Sequence, residues 1–332
     1  MTRRPDRGPR RAGDAAGGDS VRTVVIAFGA NFGVAIAKSV AAMVTGSASM
    51  VAESAHSWAD TGNQVFLLIA HRRSTRAADA ARPLGYGREA YVWSLLAAVG
   101  LFVAGGSVSV WHGVTELLGA SSVGEDYLVA YVVLAIAFVL EGTSLLRAIK
   151  QLRAEADSHD RDLFDYALET SDPTVRAVFA EDSAAIIGIL IAAAGIGLHQ
   201  LTGAAVWDAI GSVLVGVLLG AVAVVLIDRN RRFLTGEPGS AELREAAIAR
   251  IEALPEVATV RFVRLEYLGP RQLFLVASVD LVGDKAESHV ARTLRKLEGE
   301  LERHPQIVDA VLTVADPDPA DIDGDSRTGE ER

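Results

Sequence analysis

Between Ser47 and His71 the chain reads SASMVAESAHSWADTGNQVFLLIAH, apolar enough for a membrane-spanning helix yet carrying Glu53, His56 and Asp60. His56 and Asp60 are four residues apart, so on a helix they stack on one face, and Ser49, Glu53 and Asn63 extend the stripe. Each ionisable group at the centre of a spanning helix costs about 2.5–3.5 kcal/mol on insertion scales, which makes such a group a functional candidate by default. An imidazole and a carboxylate converging there would form a metal or proton site.

A second apolar run, VRAVFAEDSAAIIGILIAAAGIGL, holds Glu181 and Asp182 side by side. With a rise of about 1.5 Å per residue, Asp182 lies roughly 12 Å and Asp60 roughly 15 Å from the basic ends of their helices, with His56 one turn further. Both heights fall well inside a hydrocarbon layer about 30 Å thick. One imidazole nitrogen with two or three carboxylates suits Zn²⁺, and nearly as well Mn²⁺, Fe²⁺ or Co²⁺. The same groups change protonation when a metal leaves, which supplies a physical route to proton exchange. In soluble helices HxxxD and an ED pair would mean little; the membrane setting gives them weight.

The elements that must position these groups are six apolar segments, near Val24–Val44, Ala48–Ala70, Ala90–Leu117, Tyr127–Leu146, Thr174–Leu198 and Ala205–Ile227. Short connections at Thr45–Ser47, Gly119–Asp126 and His199–Gly203 lack Lys and Arg, whereas the other flanks are basic: Arg3 to Arg22, Arg72 to Arg88, Arg147 to Arg153 and Arg229 to Arg232. Positive charge marks the cytoplasmic side, which predicts six transmembrane helices with both termini inside. Ser212, Gly216 and Gly220 make a small-residue row for close helix packing. Three further charges lie in these segments. Asp208 reads as a helix-end or hydration group, Lys38 as a residue that snorkels from the outer third, and Glu141 either as functional or as paired with Arg147. Arg88 has a candidate tie to Asp228 or Glu237.

Residues 1–21 are rich in Arg, Gly, Asp and Pro and predict a disordered cytoplasmic tail, followed by a membrane domain over 22–235. Past Gly236-Glu237-Pro238-Gly239 the pattern changes. Helical periodicity over Ala241–Leu254, strand-like runs at Val257–Tyr267 and Arg271–Val282 around Gly269-Pro270, a second helical stripe at Ser288–Arg303 and a short strand at Ile307–Val314 predict a small α+β domain over 236–316, ordered αββαβ and ferredoxin-like. Residues 317–332 read as a disordered acidic tail.

Composition removes several function classes. The 332 residues carry a net charge of −10 with half of them hydrophobic, which argues against nucleic acid as a main partner and against a soluble enzyme. No cysteine is present, so disulfides, thiolate metal sites and cysteine nucleophiles are excluded. Neither an HExxH helix nor a GxxxxGK[ST] loop occurs. No cofactor is implied; the divalent cation is cargo.

The arrangement resembles the cation diffusion facilitator family of divalent-metal/proton antiporters. The resemblance rests on Asn31 with Lys38, on SxSMxAExxHSxxD from Ser47 to Asp60, on RPLGYGRE at Arg82–Glu89, on AEDSAAIIG at Ala180–Gly188 and on DAIGSxxxG from Asp208 to Gly216. The HSWADTGNQ and EDSAA wording is most similar to the zinc transporter 9-like branch. The resemblance implies a homodimer with a mid-membrane site built from two residues, four apart, on each of the second and fifth helices. His56 and Asp60 match the first pair and Asp182 the second member of the other, whereas the first member falls on Val178, which cannot ligate. Glu181 is the leading replacement, although it projects about 100° around the helix from Asp182; Glu53, a turn from His56, is the other. Arg82 and Tyr86 stand where the family often has a histidine-rich loop site. Arg261, Ala277 and Val314 stand where its cytoplasmic domain often binds metal, with only Asp316 retained.

The expectation is a plasma-membrane exporter of divalent metal, zinc first, driven by proton exchange. The alternative is a non-transporting scaffold or metal sensor that recruits partners through its cytoplasmic domain.

Overall fold

The computed structural model describes residues 17–119, 127–157 and 162–315. Helices dominate: α1 Gly17–Thr45, α2 Ala48–Ser74, α3 Glu89–Gly100, α4 Val108–Leu117, α5 Tyr127–Asp157, α6 Leu163–Glu169, α7 Pro173–Thr202 and α8 Val206–Thr235. A π-helical stretch, Leu101–Ser107, joins α3 to α4. Among the described residues five helices are long and apolar enough to cross a membrane: Phe28–Thr45, Glu89–Leu117, Tyr127–Ala154, Pro173–Thr202 and Val206–Thr235. α2 is absent from that set despite its 27 residues, because the stripe of Glu53, His56, Asp60, Asn63 and Gln64 dilutes its apolar character.

Helix ends follow local chemistry. Gly46, at φ 65°, terminates α1, and its N–H donates to the Ala42 carbonyl. Ser47 then caps α2 by accepting from the Met50 N–H at 3.1 Å. Pro173 opens α7, where its missing N–H costs nothing, and Asp172 accepts from Thr174 N–H at 3.0 Å.

Three boundaries differ from the sequence expectation. α1 starts at Gly17, inside the stretch read as a tail; residues 1–16 and 316–332, including Asp316, lie outside the described residues. α5 continues to Asp157, eleven residues past the end expected at Leu146, because Arg147 to Ala154 are good helix formers even though polar. The loop after it contains α6, whose Leu163, Tyr166 and Ala167 pack with Leu152 and Phe179.

Contacts divide the chain into two compact units. The first comprises Met1–Gln64, Leu101–Glu141 and Ala185–Gly220. Its core holds Val34, Ala41, Met50, Ala130, Leu134, Ile189 and Ile196. The expected small-residue row packs closely here: Ser212 Oγ donates to the Ser109 carbonyl at 2.9 Å. A Cβ on Gly216 would lie 2.6 Å from Val110 Cγ2 and 2.8 Å from both the Gly106 carbonyl and the Val110 nitrogen.

The second unit comprises Val65–Gly100, Gly142–Ala184 and Ala221–Arg332. It contains α9 Ala241–Glu252, β1 Val257–Gly269, β2 Gln272–Leu281, α10 Glu287–Leu301 and β3 Ile307–Val314. The sheet order is β1-β2-β3, with β1 and β2 antiparallel around Gly269-Pro270 and β2 parallel to β3 across α10. Ile251, Val263, Leu265, Leu275, Ala277, Leu297 and Leu312 form its apolar core. Arg88 pairs with Glu266 on β1, not with Asp228 or Glu237, since those acids are taken by Arg231 and Arg232. Beside that pair, the backbones of Gly87 and Gly269 touch: a Cβ built on Gly269 would lie 2.6 Å from Gly87 Cα, and one on Gly87 2.5 Å from the Leu268 carbonyl.

Candidate metal site

The first turn of α2 is held from α8. Asp208, 1% exposed, accepts from Ser47 Oγ at 2.9 Å, from Ala48 N–H at 2.7 Å and from Ser49 N–H at 3.2 Å. Ser49 Oγ donates back to the Asp208 carbonyl at 2.8 Å. Asp208 is thus a helix-end group, but for a helix other than its own: its carboxylate meets the positive end of the α2 dipole.

One turn further, Glu53 Oε2 lies 2.8 Å from Lys38 Nζ of α1, and both side chains are fully buried. Lys38 therefore does not snorkel, because it has an acid at its own depth. Glu141 is buried as well. Ser39 Oγ and Ser54 Oγ lie 2.7 Å apart, and Trp58 Nε1 donates to Ser39 Oγ at 2.9 Å, so adjacent residues of α1 hold Glu53, Ser54 and Trp58 of α2.

His56 follows, with Nε2 3.3 Å from Asp60 Oδ2, at 0% and 12% side-chain exposure. The helix spacing brings these two together as the sequence implied. Among the described residues, neither ring nitrogen of His56 has a hydrogen-bond partner. The π stretch closes this side, since a Cβ on Gly105 would meet Leu219, Ala59 and the His56 Cα within 4 Å. π turns recur at functional sites, and nothing in the periodicity of Leu101–Ser107 announced this one.

Glu181 and Asp182 belong to the second unit, on α7, where Glu181 is buried and Asp182 half-buried. Among the described residues no three His, Cys, Asp or Glu side chains come together as a metal cage. Glu53, named above as a possible fourth ligand, has one oxygen engaged by Lys38.

Sequence reasoning missed Arg176 on α7. Its side chain is 1% exposed, donates from Nη1 to the Thr170 carbonyl at 2.8 Å and from Nη2 to Asn230 Oδ1 at 2.9 Å, and lies over the Phe233 ring. Asn230 passes the network on to Ser94 Oγ at 3.1 Å. Tyr91 also stacks on Phe233. An arginine five residues before Glu181 in an apolar run was a readable signal, by the rule already applied to His56 and Asp60.

Residues 24–234 match the cation efflux transmembrane domain. The chain is 36% identical over 246 residues to the mouse (Mus musculus) and human (Homo sapiens) proteins named "Proton-coupled zinc antiporter SLC30A9, mitochondrial", covering 74% of this chain and 43% of each of theirs. It is 36% identical over 278 residues to "Metal tolerance protein C4" of Arabidopsis thaliana, covering 83% of this chain and 61% of that one. The chain therefore spans less than half the length of the antiporters it matches. A plasma-membrane location does not stand, because those antiporters are named as mitochondrial. Basic flanks separate one face of a bilayer from the other and carry no information about which membrane that is. The match over most of the chain and the wording of its two acidic helices agree: this multi-pass membrane protein belongs to the cation efflux family, a family of transporters and not enzymes, in the branch of the SLC30A9-type zinc antiporters.

Proposed function

We propose that this protein exports a divalent cation, Zn²⁺ in first place, in exchange for protons, with His56, Asp60 and Asp182 as ligands and Glu181 as the fourth. The observation that carries the reading is the buried His56–Asp60 pair on α2, a nitrogen and an oxygen 3.3 Å apart in a helix that would otherwise have no reason to bury them. The names of the relatives, zinc antiporters and a metal tolerance protein, support the cargo and the coupling.

The chemistry follows from the pair. A neutral imidazole and a carboxylate bind a borderline cation such as Zn²⁺ well. When the cation leaves, the carboxylate accepts a proton, because a bare anion in a low-dielectric interior is costly. The site is then either metal-loaded or proton-loaded, which is what antiport requires. α2 serves as a sixth span, its polar stripe turned inward, so that both chain ends face the basic side of the bilayer. Two copies associate, and the sheet face carrying the exposed Phe262 and Val311 supports a dimer contact. Alternating access moves the site from one face to the other.

Proteoliposomes loaded with a metal-sensitive dye test the reading with Zn²⁺, Mn²⁺, Fe²⁺ and Co²⁺, with and without a pH gradient. Zinc flux that rises with the gradient, and falls at least tenfold in His56→Ala and Asp60→Ala, is expected. Equal flux for the parent and Asp60→Ala would reject the site, and zinc flux indifferent to the gradient would reject the coupling.

A further inference from the structure

The Lys38–Glu53 pair has no explanation in stability. Both side chains are fully buried, and a buried ion pair is often replaced by apolar residues of like volume with no loss. Its position is more informative. Glu53 stands three residues before His56, so the two share a face of α2. Glu53 Oε1 and both His56 ring nitrogens are buried without a hydrogen-bond partner among the described residues. Glu53 thus offers an oxygen on the face of His56, yet among the described residues it does not join His56 and Asp60 as a cage.

Two features hold it out. Lys38 Nζ takes Oε2 at 2.8 Å. Gly188 of α7 leaves the space that Oε1 occupies, since a Cβ there would lie 2.7 Å from that oxygen. Together they form a berth for the carboxylate, with a cation on one oxygen and bare backbone beside the other.

We propose that Lys38 is a specificity-determining residue, which keeps Glu53 in this berth and so withholds a hard oxygen ligand from the His56–Asp60 site. The inference rests on the metal-transport reading above. Its consequence follows from ligand chemistry. The four proposed ligands, one imidazole and three carboxylates, match four-coordinate Zn²⁺, whereas one further carboxylate improves the fit to Mn²⁺, which prefers more oxygen ligands. Freed of Lys38, Glu53 adds that ligand, and discrimination against Mn²⁺ falls.

The test is the ratio of Mn²⁺ to Zn²⁺, read both as binding to the purified full-length protein in detergent and as flux in proteoliposomes. In Lys38→Met the ratio is expected to rise about tenfold in favour of Mn²⁺. Lys38→Arg, which keeps a cation on Glu53, is expected to hold the parental ratio. The double variant Lys38→Met with Glu53→Met, in which no carboxylate is released, is expected to hold it too. A purely structural clamp would change yield or total rate and leave the ratio alone, so Lys38→Met with a parental ratio overturns the proposal. A double variant whose ratio departs from the parent's overturns it as well, and decides the matter if Lys38→Met does not fold. A parent that binds Zn²⁺ but carries no flux overturns the transport reading and leaves this inference standing; a parent that binds neither metal overturns both.

Discussion

The carboxylate of Asp208 sits 2.7 Å from the backbone nitrogen of Ala48, so the helix carrying His56 and Asp60 is capped by a residue 160 positions away. An acid at a buried helix N-terminus satisfies N–H groups that no water can reach. Asp208→Ala leaves the N–H groups of Ala48 and Ser49 without an acceptor, each at a cost of about 1–3 kcal/mol. The expected result is a clear fall in the thermal midpoint of the detergent-solubilised protein, with a smaller fall in Asp208→Asn, which retains one acceptor oxygen. A midpoint for Asp208→Ala equal to the parent's would show that the cap carries no stability.

Arg176 should behave as the centre of a network and not as half of an ion pair. Its partners are neutral, so Arg176→Leu strands the Thr170 carbonyl and Asn230 Oδ1, at about 1–3 kcal/mol apiece. Asn230→Ala removes one of those contacts, and the double variant should cost less than the sum of the singles. Lysine is not an adequate substitute, since it lacks the planar fork and the stack on Phe233. Chemical denaturation of the four proteins measures the coupling; strict additivity would contradict it.

Gly216→Ala should destabilise more than Gly188→Ala. The first Cβ meets the Gly106 carbonyl and the Val110 nitrogen, which are backbone, at 2.8 Å each. The second meets the end of the Glu53 side chain at 2.7 Å, which can move. Overpacking of the first kind costs about 1–3 kcal/mol. Comparing the thermal midpoints of the two variants checks the order.

Asp79, in the α2–α3 connection, accepts from Tyr86 Oη at 2.7 Å and from the N–H groups of Ala81 and Arg82 at 3.0 and 2.9 Å. These donors, the Tyr86 hydroxyl foremost, hold its carboxyl below the usual 3.8, and the same contact raises the Tyr86 phenol. With the folded value depressed, the turn is favoured above pH 3.8 and loses that support as pH falls through the lowered value. Tyr86→Phe removes the largest cause, so the Asp79 titration should move back up toward 3.8, followed by NMR of labelled aspartate. An unshifted titration would count against the hydrogen bond.

Local pattern made the helices, the three strands and the His56–Asp60 pair legible, because each depends on spacing within a single element. What stayed hidden depends on pairing across the chain. Lys38 looked like a snorkelling side chain because its partner Glu53 lies on the next helix, and Asp208 read as an end or hydration group of its own helix because its partners sit on α2. Arg88 was matched to the wrong acids, since sequence proximity cannot tell that Arg231 and Arg232 already occupy Asp228 and Glu237. Arg176 was readable but passed over beside two carboxylates. The π stretch has no signature in hydrophobic periodicity.

Gly87 and Gly269 form one inherited character and not two. Each backbone fills the space that the other's side chain would need, so a substitution at either position collides with main chain, and no change at its partner can make room. A lineage cannot exchange them by compensation in the way that Arg88 and Glu266 beside them can be swapped or reversed. Drift should therefore stall at this pair while the surrounding loop and hairpin diverge, and two separated stretches of the gene are bound to keep the same letter.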